Sequence, residues 1–256
     1  MDVTIVSCYY RLKQSKHRLE EYSKWIRNFV MNLQNTNLVI FTSQHDYAYI
    51  QSMMQNDRIH YKILIREIED FKVSKEYPLI WKAQAEMDPT PSCGRGIDCY
   101  KIWNSKFDLL KQAIVENPFH TDYFVWNDMG NVRQENILPY LSTYPCSNKF
   151  SRDKLDIILL NGFSENKIFL QNEVHFSGSM FGSHKETLLE LHDLFYMYFY
   201  LYLKKGYFIG CDQQILGTIF IRQPEKFNPI FPVDCHVDPW FYLYEYYSSK
   251  KNINVA

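Results

Sequence analysis

The chain has 256 residues, of which 46% are hydrophobic, so it is long enough to bury one sizeable core. Its 28 basic and 29 acidic residues give a net charge of −1, which argues against nucleic-acid binding because that function needs a basic surplus. No run approaches the roughly 18–20 apolar residues that a transmembrane helix requires, so no transmembrane segment is predicted.

The predicted elements alternate between short apolar runs, typical of buried strands, and longer segments with apolar residues at helical spacing. In chain order, strands are predicted at residues 3–8, 38–42, 59–65, 123–126, 157–160 and 174–176. Helices are predicted at residues 19–33, 47–54, 81–87, 100–116, 185–204 and 212–221. The Pro- and Gly-rich stretch 88–96 is predicted to be a loop, and Asp98 to cap the helix after it.

This alternation, without internal repeats or a low-complexity linker, predicts an α/β fold. We expect a single domain over residues 1–256, with a mostly parallel sheet covered by helices on both faces. The aromatic tail, residues 233–247, is expected to pack back on the core. Ligands bind such sheets at the carboxyl ends of the strands, so the residues just after each strand are the candidates for a site.

Six cysteines occur singly, with no Cys-x-x-Cys pair, so a zinc site is not predicted; they are Cys8, Cys93, Cys99, Cys146, Cys211 and Cys235. The opening residues MDVTIVSCYYRLK lack the basic segment and long apolar run of a secretory signal. Both features predict reduced thiols and a cytoplasmic location, in the host cytoplasm if the protein is viral.

The strongest local signal is the segment YFVWNDMG, which runs from Tyr123 to Gly130. An apolar strand delivers the carboxylate of Asp128 at its end, and Gly130 allows backbone or ligand to approach closely. Such a carboxylate can hold a hard divalent cation that neutralises a diphosphate. An aspartate after a strand is also a common turn residue, so this motif alone is weak.

Three further segments place polar groups where a ligand could contact them. In GCDQQIL, Asp212 begins a predicted helix as an N-cap or a functional carboxylate, and Gln213 offers a donor and acceptors for a polyol. The segment FSGSMFGS, residues 176–183, follows a predicted strand and is expected to form a flexible turn. Lys106 shares a predicted helix face with Ile102 and Trp103, so its ammonium needs an anionic partner or extends to water.

These features, in this order, resemble the core of the GT-A class of glycosyltransferases, and in particular the bacterial and viral HtrL/YibB-like family. The resemblance covers most of the chain: VTIVSCYYRLK, YKIWNSK, YFVWNDMGNVR, FSGSMFGS, GCDQQIL and PWFYLYEYY. The chain is also similar to a shortened glycosyltransferase of family 8, which has a lysine helix, Asp-x-Asp, Asn-x-Gly-x-Met and Asp-Gln in that order. The resemblance implies a GT-A-like, Rossmann-like domain.

The resemblance also implies roles for residues around the predicted strand end. Asp128 matches the second acid of Asp-x-Asp, which anchors Mn²⁺ or Mg²⁺ and the diphosphate. Trp126 stands where the first acid is expected, a departure that weakens the implied metal binding and the implied ribose contact. Lys106 matches a lysine that contacts the donor phosphate or sugar. Gly178 and Ser179 match a turn that faces the sugar.

The remaining implied contacts lie at the two ends of the chain. The segment that begins at Ser7 and ends at Arg11 resembles the loop that binds the base, with Tyr9 or Tyr10 available to stack on a uracil. His236 lies in the region where related enzymes place a third metal ligand, and a neutral imidazole is a suitable one.

The resemblance implies a metal-dependent transferase that moves a hexose-type unit from a nucleotide diphosphate sugar, expected to be UDP-linked, to a hydroxyl acceptor. That acceptor would be a glycan or a lipid-linked or protein-linked group, and Asp212 and Gln213 match the pair beside the reacting carbon. One alternative is a weak or inactive module of the same fold that binds a nucleotide sugar or glycan. A second, a nucleotidyltransferase, calls for more clustered carboxylates than the sequence offers.

Overall fold

The computed structural model describes residues 2–90, 94–163, 169–171 and 173–249. The strands are β1 (Val3–Tyr9), β2 (Thr36–Thr42), β3 (Ile59–Ile65), β4 (Tyr123–Asn127), β5 (Leu155–Leu159), β6 (Phe176–His184) and β7 (Phe227–Ile230). The helices are α1 (Leu19–Asn32), α2 (Tyr47–Met53), α3 (Lys72–Glu76), α4 (Trp81–Glu86), α5 (Ile97–Trp103), α6 (Lys106–Glu116), α7 (Leu138–Leu141), α8 (Lys185–Lys204), α9 (Asp212–Arg222) and α10 (Leu243–Tyr246).

The strands form one seven-stranded sheet in the order β3-β2-β1-β4-β6-β5-β7. Strands β3, β2, β1 and β4 run parallel, and β5 is parallel to β7. Strand β6 lies antiparallel to both of its neighbours, β4 and β5. The sheet is therefore mixed and mostly parallel, as the alternation of elements predicts.

Two apolar cores cover the two faces of the sheet because successive strand residues point to opposite sides. On one face, Val6 and Trp126 pack with residues of α6, α8 and α9. On the other face, Ile5 and Val125 pack with residues of α1 and of the aromatic tail. Both faces carry helices, which confirms the predicted α/β architecture. Among the described residues, no helix is long and apolar enough to cross a membrane.

The predicted helix at residues 100–116 is wrong in one respect, because two helices, α5 and α6, meet at Asn104. The buried Asn104 amide donates to the carbonyls of Tyr100 and Ile209, both at 2.8 Å, and ties the junction to a distant segment. The first helix begins at Ile97 and its N-cap is Gly96, so Asp98 does not cap it. Lys106 consequently becomes the first residue of α6.

The predicted turn at residues 176–183 is also wrong, because the whole segment is the buried strand β6. Its small residues are required by close packing. A Cβ atom added to Gly182 would lie 2.7 Å from the Phe150 ring, and Ser183 donates to the carbonyl of Lys154 at 2.7 Å. A serine- and glycine-rich sequence therefore forms a strand here, since an aromatic ring and a neighbouring backbone carbonyl approach it closely.

The aromatic tail packs on the core as expected, with Phe241, Tyr244 and Tyr247 buried. Tyr247 stacks on Phe150 with ring centroids 4.0 Å apart, and its hydroxyl donates to Asp156 at 2.9 Å. These contacts hold residues 241–247 against the sheet near the start of β4, because Phe150 also packs on Tyr123, the first residue of that strand.

Candidate functional site

A cavity of about 780 Å³ lies between β1 and β4, where the order in which strands are added to the sheet reverses. The first connections build outward from β1 to β3, and the chain then crosses to β4 on the other side of β1. Ligands of open α/β sheets bind at such a switch point. The cavity is lined by residues that follow β1 and β4, by the first half of β6 and by the N-terminal residues of α6 and α9.

The cavity contains a buried ammonium group between two carboxylates. Lys106 Nζ lies 3.0 Å from Asp212 Oδ2 and 3.5 Å from Asp128 Oδ1, and it donates to the Gly178 carbonyl at 2.7 Å. Only 3% of the Lys106 side chain is exposed. Lys106 therefore has anionic partners and does not extend to water. Ile102 and Trp103 line the same cavity although the helix breaks before Lys106.

Burial and charge act in opposite directions on this cluster. Burial disfavours the Lys106 ammonium, but Asp128 and Asp212 outweigh that effect and raise the pKa of Lys106. Burial raises the pKa of Asp212, and the ammonium of Lys106 opposes that rise. The ionised form of Asp212 therefore depends on Lys106, and the two groups act as a unit.

Asp128 is oriented by its neighbours rather than free in a turn. Its Oδ1 accepts from the Trp126 indole at 2.7 Å, and its backbone N–H donates to the Ser179 carbonyl at 2.9 Å. About a third of the side chain, 34%, is exposed, whereas only 5% of the Asp212 side chain is. Asp128 is consequently the more accessible carboxylate of the cluster.

Helix α9 begins at Asp212, and its N-cap is Cys211, so the interpretation of Asp212 as an N-cap is wrong. A Cβ atom added to Gly178 would lie 2.8 Å from Gln213 Cγ and 3.2 Å from both carboxylate oxygens of Asp212. Glycine at this position therefore lets the start of α9 approach β6. The amide of Gln213 donates to the Phe176 carbonyl and accepts from Cys211 Sγ at 3.1 Å.

The predicted base-binding segment is only partly accessible. Ser7 is fully buried and donates to the Asn127 carbonyl at 2.5 Å, so it supports β4 and does not line the cavity. Tyr9 and Tyr10 line the cavity, but only 6% and 7% of these residues are exposed. Arg11 lines the cavity and is held by Asp46, with 2.6 Å between Nε and Oδ1.

The cavity offers few protein ligands for the implied Mn²⁺ or Mg²⁺ ion. Within the described ranges, no group of three His, Cys, Asp or Glu side chains is placed to hold a metal. His236 does not line the cavity; its Nδ1 lies 2.8 Å from Glu245 Oε1. Asp128 offers an accessible carboxylate, and Mg²⁺ is often held by one or two carboxylates together with substrate phosphates. The donor set therefore fits an ion that arrives with a diphosphate, and not a complete protein cage.

Cysteines near the cluster do not supply a reactive thiolate. Burial raises the pKa of Cys99, which lines the cavity, to about 12, and that of Cys211 to about 12 as well. Both groups therefore remain protonated at neutral pH. Cys8, Cys99, Cys146, Cys211 and Cys235 are free thiols, and Cys93 lies outside the described residues.

No site role is predicted from the sequence for several other residues of the cavity lining, among them Arg95, Arg133, Asp238 and Trp240. Arg133 and Trp240 belong to the segments YFVWNDMGNVR and PWFYLYEYY, so each lay within a recognised motif without a role of its own. Trp240 is placed by β6, because its carbonyl accepts from Ser177 at 2.9 Å.

Fold and site together define an α/β protein with a ligand-sized, charged cavity at the switch point of its sheet. The sequence model of the family described as "Bacterial protein of unknown function (HtrL_YibB)" matches residues 1–249, and the chain therefore belongs to this family. No curated protein matches the chain.

Proposed function

We propose that the protein is a glycosyltransferase that moves a hexose-type unit from a nucleotide diphosphate sugar, with UDP as the expected nucleotide, to a hydroxyl acceptor. The observation that carries the proposal is the buried Lys106 held between Asp128 and Asp212 in the cavity. Two carboxylates and one ammonium leave this cluster with one formal negative charge. Such a charge suits a reaction in which positive charge develops on a sugar carbon.

In this proposal, each residue of the cluster has a distinct task. Lys106 keeps Asp212 ionised and fixed, and Asp212 stabilises the positive charge on the reacting carbon of the sugar. Gly178 keeps this part of the strand open, so that Asp212 can lie beside the bound sugar. The accessible carboxylate of Asp128 would hold Mn²⁺ or Mg²⁺, which neutralises the departing diphosphate when it is bound.

A second candidate is a module of the same fold that binds a nucleotide sugar or glycan without turnover. It is favoured by the internal hydrogen bonds of the Gln213 amide, which leave that side chain fewer groups for a substrate. It is also favoured by Trp126, which occupies the place where the resemblance expects a first acid. Both candidates require binding of the nucleotide sugar, and only the first requires chemistry.

A thermal-shift screen of nucleotide sugars with and without Mn²⁺ tests the binding that both candidates share. A ligand that binds the folded state alone raises the apparent melting temperature by mass action. Release of the nucleotide from the best ligand then separates the candidates, since a binding module leaves the donor intact. No shift with any nucleotide sugar, under either metal condition, would contradict both.

A further inference from the structure

The cavity is lined by several cations, and most of them already have an anionic partner. Arg11 is bound to Asp46, Lys106 lies between two carboxylates, and Arg95 lies 3.9 Å from Asp88. Arg133 and Lys16 also line the cavity, and neither has a carboxylate within 4 Å in the part of the chain that the structure describes. Their charges are therefore available to a ligand.

Arg133 is held in place although it has no anionic partner. Its guanidinium carbon lies 4.7 Å from the centroid of the Trp25 ring and 5.6 Å from that of Phe241. Its Nε donates to the carbonyl of Gly130 at 2.9 Å, which leaves the terminal nitrogens of the fork unused by this bond. A planar guanidinium fixed in this way suits bidentate binding of a phosphate or carboxylate, because little side-chain entropy remains to be lost.

His17 lies beside both cations at this end of the cavity. His17 packs on the same Trp25 ring at 4.8 Å between centroids. Burial, followed by the charge of Arg133, lowers the pKa of His17; Lys16 acts in the same direction, while Glu21 at 3.8 Å opposes. The lowered pKa leaves His17 uncharged at neutral pH, so the positive charge at this end of the cavity comes from Arg133 and Lys16.

We propose that Arg133, supported by Lys16, forms an anion-binding subsite that takes a phosphate or carboxylate group of the substrate and is separate from Lys106. The binding of an anion there follows from the geometry alone. Its source rests on the proposed function, since the anion would belong either to the donor diphosphate or to an acidic acceptor.

Calorimetric titration with inorganic pyrophosphate tests the subsite on the full chain. We expect the wild-type protein to bind pyrophosphate, and Arg133→Gln to weaken that binding roughly 10- to 100-fold, the loss expected for hydrogen bonds to a charged group. Arg222→Gln is the matched control, because its guanidinium lies over Phe169 at 5.9 Å and does not line the cavity. Arg133→Lys keeps the charge without the fork, and an intermediate affinity is expected.

Titration with UDP identifies the source of the anion. An equal loss of UDP affinity in Arg133→Gln assigns the subsite to the donor diphosphate, and an unchanged UDP affinity beside weaker pyrophosphate binding assigns it to an acidic acceptor. The proposal is overturned if the wild-type protein does not bind pyrophosphate, or if Arg133→Gln binds it as tightly as Arg222→Gln does. If Arg133→Gln does not fold, wild-type affinity in Arg133→Lys is the overturning result. A third result would contradict the proposed function and not the subsite. In that case pyrophosphate binding depends on Arg133, but the protein releases nucleotide from no sugar donor.

Discussion

Replacement of Lys106 with methionine removes the buried ammonium while keeping most of the side-chain volume. In the wild-type protein that ammonium lies 3.0 Å from Asp212 and 3.5 Å from Asp128 and donates to the Gly178 carbonyl. Without it, Asp212 remains as an uncompensated buried charge, a change that costs about 3–5 kcal/mol. We expect the free energy of unfolding of Lys106→Met to fall by about that amount at pH 8.

The loss should depend on pH in a defined direction. Burial already raises the pKa of Asp212, and removal of Lys106 takes away the charge that opposes this rise. A carboxyl group whose pKa is higher in the folded protein than in the unfolded chain stabilises the fold at low pH, and this stability is lost as the pH rises through the folded-state pKa. The deficit of Lys106→Met, measured by urea unfolding, should therefore be smaller at pH 5 than at pH 8.

The double variant Lys106→Met/Asp212→Asn is the matched control. It removes both charges, so most of the stability lost in the single variant should return, as for a buried ion pair replaced by neutral groups. A loss below about 1 kcal/mol in the single variant, independent of pH and not relieved in the double variant, would refute the assignment of Lys106 and Asp212 as a buried pair.

Three further changes test the roles of single residues. Asp128→Ala should abolish transfer and the Mn²⁺-dependent part of UDP binding in calorimetry, with little change in melting temperature, because this side chain is partly exposed. Asp212→Asn should lower kcat by roughly 10²–10³-fold, the scale for one well-placed electrostatic group, and should remove the acid limb of the pH–rate profile. Gly178→Ala should lower turnover about 10²-fold, because its Cβ would lie 2.8 Å from Gln213 Cγ and displace the start of α9.

Each of these predictions has a result that contradicts it. Undiminished Mn²⁺-dependent UDP affinity in Asp128→Ala would remove that residue from the implied metal site. Normal turnover in Asp212→Asn would favour the binding module. For Gly178→Ala the control is Gly162→Ala, whose added Cβ would meet no heavy atom of a described residue within 4 Å apart from its chain neighbours. Equal turnover in the two alanine variants would mean that Gly178 does not position α9.

The sequence predicts those helices and strands whose apolar residues recur at a regular spacing. The strand Ile59–Ile65 and the helix Lys185–Lys204 have the predicted bounds, because apolar spacing alone defines them. The composition of β6 predicts a turn, but its glycines are required by side chains that are distant in sequence. Phe150 packs closely against Gly182, and Gln213 against Gly178. Local composition does not show which distant residues will pack against a segment, so this strand could not be predicted from it.

The residues of the candidate site could be predicted from the sequence, but their contacts could not. Asp128 and Asp212 could be singled out because each follows or begins a predicted element, and Lys106 because a cation on an apolar face needs a partner. The approach of Lys106 to within 3.5 Å of both carboxylates could not be predicted from spacing, because Asp128 and Asp212 belong to segments that are distant from Lys106 in the chain. Side-chain contacts over such separations come only from the assembled sheet.

The most direct test of the central claim is release of nucleotide from UDP-hexoses by the wild-type protein, Asp128→Ala and Asp212→Asn, each with Mn²⁺ and a hydroxyl acceptor. We expect the wild-type protein to release UDP from at least one donor. Both variants, still folded, should release it more slowly by a factor of roughly 10² at least. No release from any donor by the wild-type protein, or the same release by all three proteins, would contradict a transferase centred on Lys106, Asp128 and Asp212.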